Sequence, residues 1–497
     1  MNRWNLLIDE QALAAVLPAE YGRFARPVSE ALAVFLNGLP EPRQAEILAA
    51  QGTLPPTASF AQRLALLARS CPVLQKLAQV LARDSRLASD LREQLQTLES
   101  LTPAVPMNAI RESLAREFGS LDRLGVVLDP SAIAEASVAV VIGFRSAKSA
   151  SYDEGVFKIL KPDIEERLDQ ELQLTELVGA HLDQRCEELG IPHLDYQESF
   201  SQVREKLMGE IRLDLEQEHL DQAKAFYADE PRVEIPERLD FCTPRVTAMQ
   251  RIHGCKVTDH RLPLRSEQRR LVQLLIEALV ARPIFATESR ALFHADPHAG
   301  NLFLTDTGRL ALLDWSLVGA LDDHQRAAIV QVMLGAITLH TERIVDVLTE
   351  LAETPPDAGA LRTTVDGSLR RIRLGQFPGI AWLIRLLDDA VQFARLRVNS
   401  DMMMFRKSLH TIDGVLHDLD AGGWRVDSVM MEGFLRNLAA EWPRRWMALP
   451  NSRDFATRLS NFDLTRCVLE APGTAARYWV DQLRDLLSAT RTPQQTN

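Results

Sequence analysis

Apolar residues recur at two different periods along this chain, and the change of period divides it. Residues 1–70 are Ala- and Leu-rich and broken by Pro40, Pro42, Pro55 and Pro56, which predicts short helices without visible chemistry. Leu87, Leu91, Leu95 and Leu98 predict a helix over 84–101, ended by Thr102-Pro103. The texture then turns β-branched and aromatic: SVAVVIGF (137–144) and GVFKILK (155–161) read as strands around the polar turn RSAKSASYDEG. Residues 163–227 return to helical spacing, with blocks such as DIEERLDQEL expected as solvated helix faces. TPRVTAMQRI (243–252) reads as a strand, and LFLTDTGRLALLDW (302–315) as a hairpin turning at Asp306-Thr307-Gly308. One helix is expected from Asp322 to Leu351, with Ile329, Val332, Met333, Ala336 and Ile337 on its inner face. Helical pattern continues to about residue 490, and the tail RTPQQTN reads as disordered. No internal repeat or low-complexity block interrupts this order.

Composition narrows the class. The chain has 497 residues, 46% hydrophobic and 25% charged, ordinary values for a globular protein with a sizeable core. A net charge of -12 argues against a nucleic-acid backbone as the main partner. A few local cations still suffice to hold phosphates. Cys71, Cys186, Cys242, Cys255 and Cys467 are odd in number, scattered and without a C-x-x-C pair, so neither a disulfide framework nor a zinc ribbon is expected. The N-terminus lacks an apolar signal core, and no run approaches ~20 apolar residues, so a cytoplasmic location is the default expectation.

Chemistry concentrates in HADPHAGN. His294, Asp296 and Asn301 form H-x-D followed by an Asn five residues on, the spacing of the H-R-D-x-x-x-x-N loop of protein kinases. There the Asp orients or deprotonates the acceptor hydroxyl and the Asn holds magnesium. Asp314 in LLDWS lies eighteen residues after Asp296, beyond the hairpin, where kinases place the second magnesium ligand. His294, Asp296 and His298 also make a two-His, one-carboxylate set of the kind that binds iron or zinc, but Asn301 and Asp314 favour magnesium. Lys158 interrupts an apolar strand between Phe157 and Ile159, so it faces away from them and calls for an anion. Glu216 and Glu218 in LDLEQEH are its candidate partners. The segment before the strands, AEASVAV (134–140), stands where kinases carry a Gly-rich phosphate loop, yet has no glycine, which predicts a stiffer loop. Ala134, Ala136 and Ser137 there, with Met249 on the TPRVTAMQRI strand, are the candidate nucleotide contacts. Met402, Met403 and Met404 read as helix core. Trp442, Arg444, Arg445 and Trp446 read first as packed Trp and solvated Arg, with a membrane surface as the other option.

The ordered set of segments resembles the UbiB/AarF family of atypical kinase-like proteins. CPVLQKLAQVLARDSRL resembles the family's K-x-G-Q segment, with Lys76 and Gln79 at its named positions and Ala78 in place of Gly. AEASVAVV resembles its Ala-rich loop, interrupted here by Glu135, and VFKILKPDI its nucleotide-lysine strand. RLDLEQEHLDQAKAF resembles the helix carrying the lysine's partner, which matches Glu218, with Arg212 where an acidic residue is usual and Glu210 nearby. FHADPHAGNLFL and LALLDWSLVG resemble the catalytic and metal loops, with Trp315-Ser316 for Phe-Gly, and MMMFRKSLHTIDGVLHDLD the C-terminal helical segment.

The resemblance covers about residues 70–430. It implies an α+β, two-lobed protein-kinase-like fold with helical N- and C-terminal extensions. The implied parts are 1–70 and 71–130 (helical, the latter with the K-x-G-Q-like motif), 131–252 (N-lobe), 253–350 (C-lobe) and 351–490 (C-terminal helices). It implies ATP and Mg²⁺ as ligands. Lys158 and Glu218 serve the phosphates, Asp296 the acceptor, Asn301 and Asp314 the metal, and Lys76 and Gln79 gate the site. The expected function is an ATP-dependent atypical kinase or ATPase supporting isoprenoid-quinone or related lipid metabolism. A lipid or quinone-precursor partner and peripheral membrane contact go with it, and nucleic acid does not. Two other classes stand beside this: a small-molecule phosphotransferase, since those share the H-x-D-x-x-x-x-N loop, and a non-catalytic nucleotide-binding scaffold.

Overall fold

The computed structural model describes residue 4 and residues 7–82, 87–99, 103–146, 153–192, 195–259, 265–419 and 423–469. The expected disordered tail and most of the RSAKSASYDEG turn lie outside the described residues, as does the side chain of Gln79. Contacts divide the chain into two compact units, one of 1–221 with 236–251, the other of 222–235 with 252–497.

In the first unit, the helix Ala25–Gly38 packs on the long helix Ile164–Leu189, and Glu41–Gly52 and Phe60–Ser70 add Ile47 and Leu67 to the same core. Trp4, Leu36, Ile47, Leu67, Leu174 and Val178 form that core. Within DIEERLDQEL, Glu171 departs from the expected solvated face. It is fully buried, receives Arg43 Nη2 at 2.9 Å and the Val73 N–H at 3.0 Å, and burial pushes its carboxyl up to about 7. A residue three positions from Leu168 and Leu174 on this helix shares their inward face, and only a buried Arg makes a carboxylate tolerable there.

The unit's antiparallel sheet runs Val126–Glu135, Ala139–Ser146, Glu154–Leu160, Val246–Gln250. The two expected central strands are present. The first strand is an addition: Pro130 inside it hid the pattern, because proline is admitted only on an edge strand such as this. One face of the sheet buries Ile142, Phe144, Phe157 and Ile159, while Leu160 packs on the other with Val138, Ile164 and Leu213.

In the second unit, Leu302–Thr305 and Leu310–Leu312 form the expected hairpin, turning at Gly308 with φ +78°. Arg290–His294 pairs with Val318–Asp322. The helix expected over 322–351 is two, Asp323–Ile337 and Thr341–Glu350. Leu339 turns the chain at φ +52°, and the His340 side chain caps the second helix by accepting the Arg343 N–H. Ile337, expected on the inner face, lies at the end of the first helix and is exposed. Likewise the helix expected over 84–101 is described from Ser89 to Gln96. On Ser400–Asp418 only Met402 of the three methionines is fully buried.

In the Trp–Arg cluster Arg444 is exposed as expected, but the other three residues reverse the expectation. Trp442 and Trp446 are 53% and 78% exposed, whereas Arg445 is buried. Arg445 donates to Glu441 Oε2 at 2.7 Å, Thr457 Oγ1 at 2.6 Å and Leu459 O at 3.1 Å, and covers the Phe455 ring. A guanidinium with this many partners is held inside as an ionic hub. Among the described residues no helix is long and apolar enough to cross a membrane.

Candidate active site

Lys158 lies on the third strand of the sheet, flanked by Val141 and Thr247. Strand alternation sends Phe157 and Ile159 into one core and Lys158 to the opposite face, where only 8% of it is exposed. Its ammonium meets Glu216, at 2.7 Å to Oε1 and 2.8 Å to Oε2. Glu218, the partner implied by the resemblance, is exposed instead. The helix Leu213–Phe226 explains the correction. Leu213, Glu216, Leu220 and Ala223 form its buried stripe, and a residue two positions past Glu216 points to the far side. The same periodicity was present in the sequence and favours Glu216. Gln217 fixes the helix by donating to Thr243 O at 2.9 Å and Thr247 Oγ1 at 3.0 Å, beside Lys158 on the sheet.

The Ala-rich segment is a tight hairpin turn. Ala134 and Glu135 end the first strand, and the Ala136 N–H closes the turn on Ala139 O at 2.8 Å. Ala136 is exposed and Ser137 buried. Glu135, which interrupts the Ala-rich run, is its fastener. Its carboxylate accepts from the Ala104 N–H at 2.6 Å and lies 2.8 Å from Lys161 Nζ. Burial pushes this carboxyl up, but the Ala104 N–H and the Lys161 ammonium outweigh it and hold it below its ordinary range. Met249 is half-buried on Val246–Gln250, opposite Val156. Lys76, on Pro72–Leu81, pairs with Glu210 at 2.7 Å, while Arg212 and Asp214 pair with one another at 2.6 Å. The Arg212 departure therefore leaves the K-x-G-Q lysine a carboxylate, two residues earlier.

The second unit carries the acidic loops. Asp296 follows the strand Arg290–His294, and its carbonyl accepts from the His298 N–H at 2.9 Å and from Asn301 Nδ2 at 3.1 Å. The Leu313 N–H donates to Asn301 O at 2.9 Å, which brings Asp314 to the same loop. His294 staples the two loops: Nδ1 accepts the Asp296 N–H at 3.2 Å and Nε2 donates to Leu313 O at 2.9 Å. Burial lowers its pKa, so the ring stays neutral, and with both nitrogens engaged it is no metal ligand. Asp314 adopts φ +54°, a left-handed conformation that Asp tolerates better than most residues, and its Oδ1 accepts the Ser316 N–H. Trp315 is fully buried, donates to Leu312 O at 3.1 Å and packs on His294 and Tyr227.

One contact had no signal in the sequence. Lys407 Nζ lies 3.2 Å from Asp296 Oδ1, delivered by the helix Ser400–Asp418. A separate apolar cavity of about 140 Å³, walled by Phe285, Met333, Phe377 and Phe434 among others, contains no titratable group and none of these residues.

A strand lysine on a helix glutamate, and an H-x-D-x-x-x-x-N loop joined to a second acidic loop, define a protein-kinase-like chain. The chain belongs to the UbiB/AarF family: residues 97–348, half its length, match the ABC1 atypical kinase-like domain. A Marinobacter nauticus protein named "Probable protein kinase UbiB" is 26% identical over 425 residues, 81% of this chain and 75% of the relative. An uncharacterized aarF domain-containing protein kinase of Arabidopsis thaliana is 29% identical over 53% of this chain and 49% of the relative. A Mycobacterium tuberculosis protein solved in complex with erythromycin shares the fold at 18% identity and TM-score 0.50, over 70% of this chain and 87% of that one.

Proposed function

We propose that this protein binds MgATP and transfers or hydrolyses its terminal phosphoryl group, in support of isoprenoid-quinone or related lipid metabolism. The observation that carries the reading is the join between the acidic loops, made by Leu313 on Asn301 and by His294 on Asp296 and Leu313. The Lys158–Glu216 pair supports it with the cation that phosphates require. Lys158 binds phosphate oxygens and Glu216 holds its ammonium in place. Asp296 accepts the proton of the attacking hydroxyl or water. Asn301 and Asp314 fit magnesium, because the Asn301 nitrogen is committed to the Asp296 carbonyl, its oxygen is the remaining ligand atom, and Asp314 adds a carboxylate. Magnesium bound there supplies neutralisation of phosphate charge. Ala134, Ala136, Ser137 and Met249 contact the nucleotide, and Lys76 and Gln79 gate it. The metabolic setting is what the family resemblance implies.

Titration calorimetry with MgATP tests this. Asp314→Asn is the informative variant, since Asn also tolerates the left-handed backbone and only the charge changes. Its MgATP affinity is expected to fall at least about tenfold, the worth of one charge-assisted contact. Unchanged affinity would remove Asp314 from the metal site.

Membrane contact belongs to the same reading. Trp442 and Trp446 stand edge to face at 6.4 Å, and the adjoining Met447 and Leu449 are 89% and 73% exposed. Exposed Trp, Met and Leu beside the exposed Arg444 are the chemistry of an interfacial surface. Co-sedimentation with anionic vesicles is expected, reduced about tenfold or more in Trp442→Ser/Trp446→Ser, as the loss of two interfacial indoles requires. Equal sedimentation of the two proteins rejects this surface.

A further inference from the structure

We propose that Lys407 is a catalytic residue of the phosphoryl-transfer site, supplied by a helix outside the matched kinase-like domain. The proposal rests on the MgATP reading above. The domain match ends at residue 348, and Ser400–Asp418 lies beyond it. That helix is fixed at three levels on the strand pair that leads into the Asp296 loop, Arg290–His294 with Val318–Asp322. Asp401 Oδ1 accepts the Ala320 N–H at 3.4 Å, Phe405 meets Phe293 edge to face at 5.2 Å, and buried Ser408 donates to His294 O at 2.9 Å. Residues 401, 405 and 408 follow one helical stripe, so the helix register is set by contacts with the two paired strands beside the loop. Lys407, beside Ser408, is thereby placed 3.2 Å from Asp296 Oδ1 while its side chain stays 46% exposed.

A half-exposed ion pair contributes little to folding, so stability gives no strong reason for a cation here. Chemistry does. The Asp296 carboxylate must take the acceptor's proton, yet its charge repels the phosphoryl group it serves. An ammonium has three donors, and the Asp296 contact takes one. The others suit the oxygens of the transferring phosphoryl group, where negative charge must be neutralised. In the step, an acceptor oxygen loses its proton to Asp296 and its lone pair forms the bond to the γ-phosphorus. The bond from that phosphorus to the β–γ bridging oxygen breaks, and the electron pair leaves with ADP. Lys407 makes no covalent bond; it fixes Asp296 and offsets charge on the moving group.

The test uses the full chain, wild type, Lys407→Met and Lys407→Arg. Affinity is measured for MgADP alone and for MgADP with aluminium fluoride, a mimic of the phosphoryl group in transfer, and ATP turnover is followed alongside. MgADP affinity is expected to agree within about twofold among the three proteins, while the tightening by aluminium fluoride falls roughly 100-fold in Lys407→Met and is partly restored in Lys407→Arg. Turnover falls by the same order at unchanged KM. A merely structural lysine leaves the tightening intact. Wild-type tightening or turnover in Lys407→Met overturns the proposal, and so does faster turnover, which marks the ion pair as inhibitory. A wild type that binds no MgADP or MgATP takes down the nucleotide reading and Lys407 with it, which separates the two failures.

Discussion

Lys158→Met is expected to lower MgATP affinity roughly 10- to 100-fold, the worth of a charge-assisted hydrogen bond of about 1.5–3 kcal/mol. The substitution has a second consequence. Lys158 and Glu216 are 9% and 6% exposed at their side chains, so the single change strands a buried carboxylate. Removing one partner of such a pair costs about 3–5 kcal/mol of stability. Loss of binding in Lys158→Met alone is therefore ambiguous. Lys158→Met/Glu216→Leu resolves it, because replacing both charges with apolar groups is close to neutral for folding. The double variant is expected to melt near the wild type and still bind MgATP weakly. Glu218→Gln is expected to match the wild type in both respects, since Glu218 is exposed. A folded double variant with wild-type affinity would sink the phosphate role of Lys158. A Glu218→Gln variant that loses binding would reinstate the carboxylate that the family resemblance implied.

That contrast also shows where the sequence was legible. Features decided by neighbours in the chain came through: the hairpin at Gly308, the alternation that turns Lys158 away from Phe157, and the spacing of His294, Asp296, Asn301 and Asp314. Matching the helix to the family motif selected Glu218, whereas its own buried stripe selects Glu216, and the local period prevailed. Other misses depend on partners remote in sequence. Glu171 is inside because Arg43, 128 residues away, meets it. Arg445 is inside because Glu441 and the segment around Thr457 surround its guanidinium, and that leaves the neighbouring Trp442 and Trp446 outside. The break at Leu339 is a capping event at His340 that apolar periodicity does not record. Lys407 is an ordinary helix lysine until the helix is docked.

Asp296→Asn is expected to lower turnover by about 10²–10⁴, the range for loss of a general base, with MgATP affinity within about threefold of the wild type. The loop's architecture makes this a clean substitution. The bonds that shape it use the Asp296 main chain: its N–H on His294 Nδ1, and its carbonyl receiving the His298 N–H and Asn301 Nδ2. An amide at the side chain leaves all three in place. It removes the proton acceptor and the anion facing Lys407 and, at 3.9 Å, His298 Nε2. The measurement is phosphate release, with and without liposomes and a lipid-soluble phenol as quinone-precursor mimic. Turnover within about threefold of the wild type would exclude Asp296 from the chemistry, since a lost general base costs far more. Retained ATP affinity with no release from the wild type under any of these conditions would instead support the scaffold class. Stoichiometric phosphorylation of a soluble alcohol, abolished in Asp296→Asn, would move the protein to the small-molecule phosphotransferases while keeping Asp296 in its role.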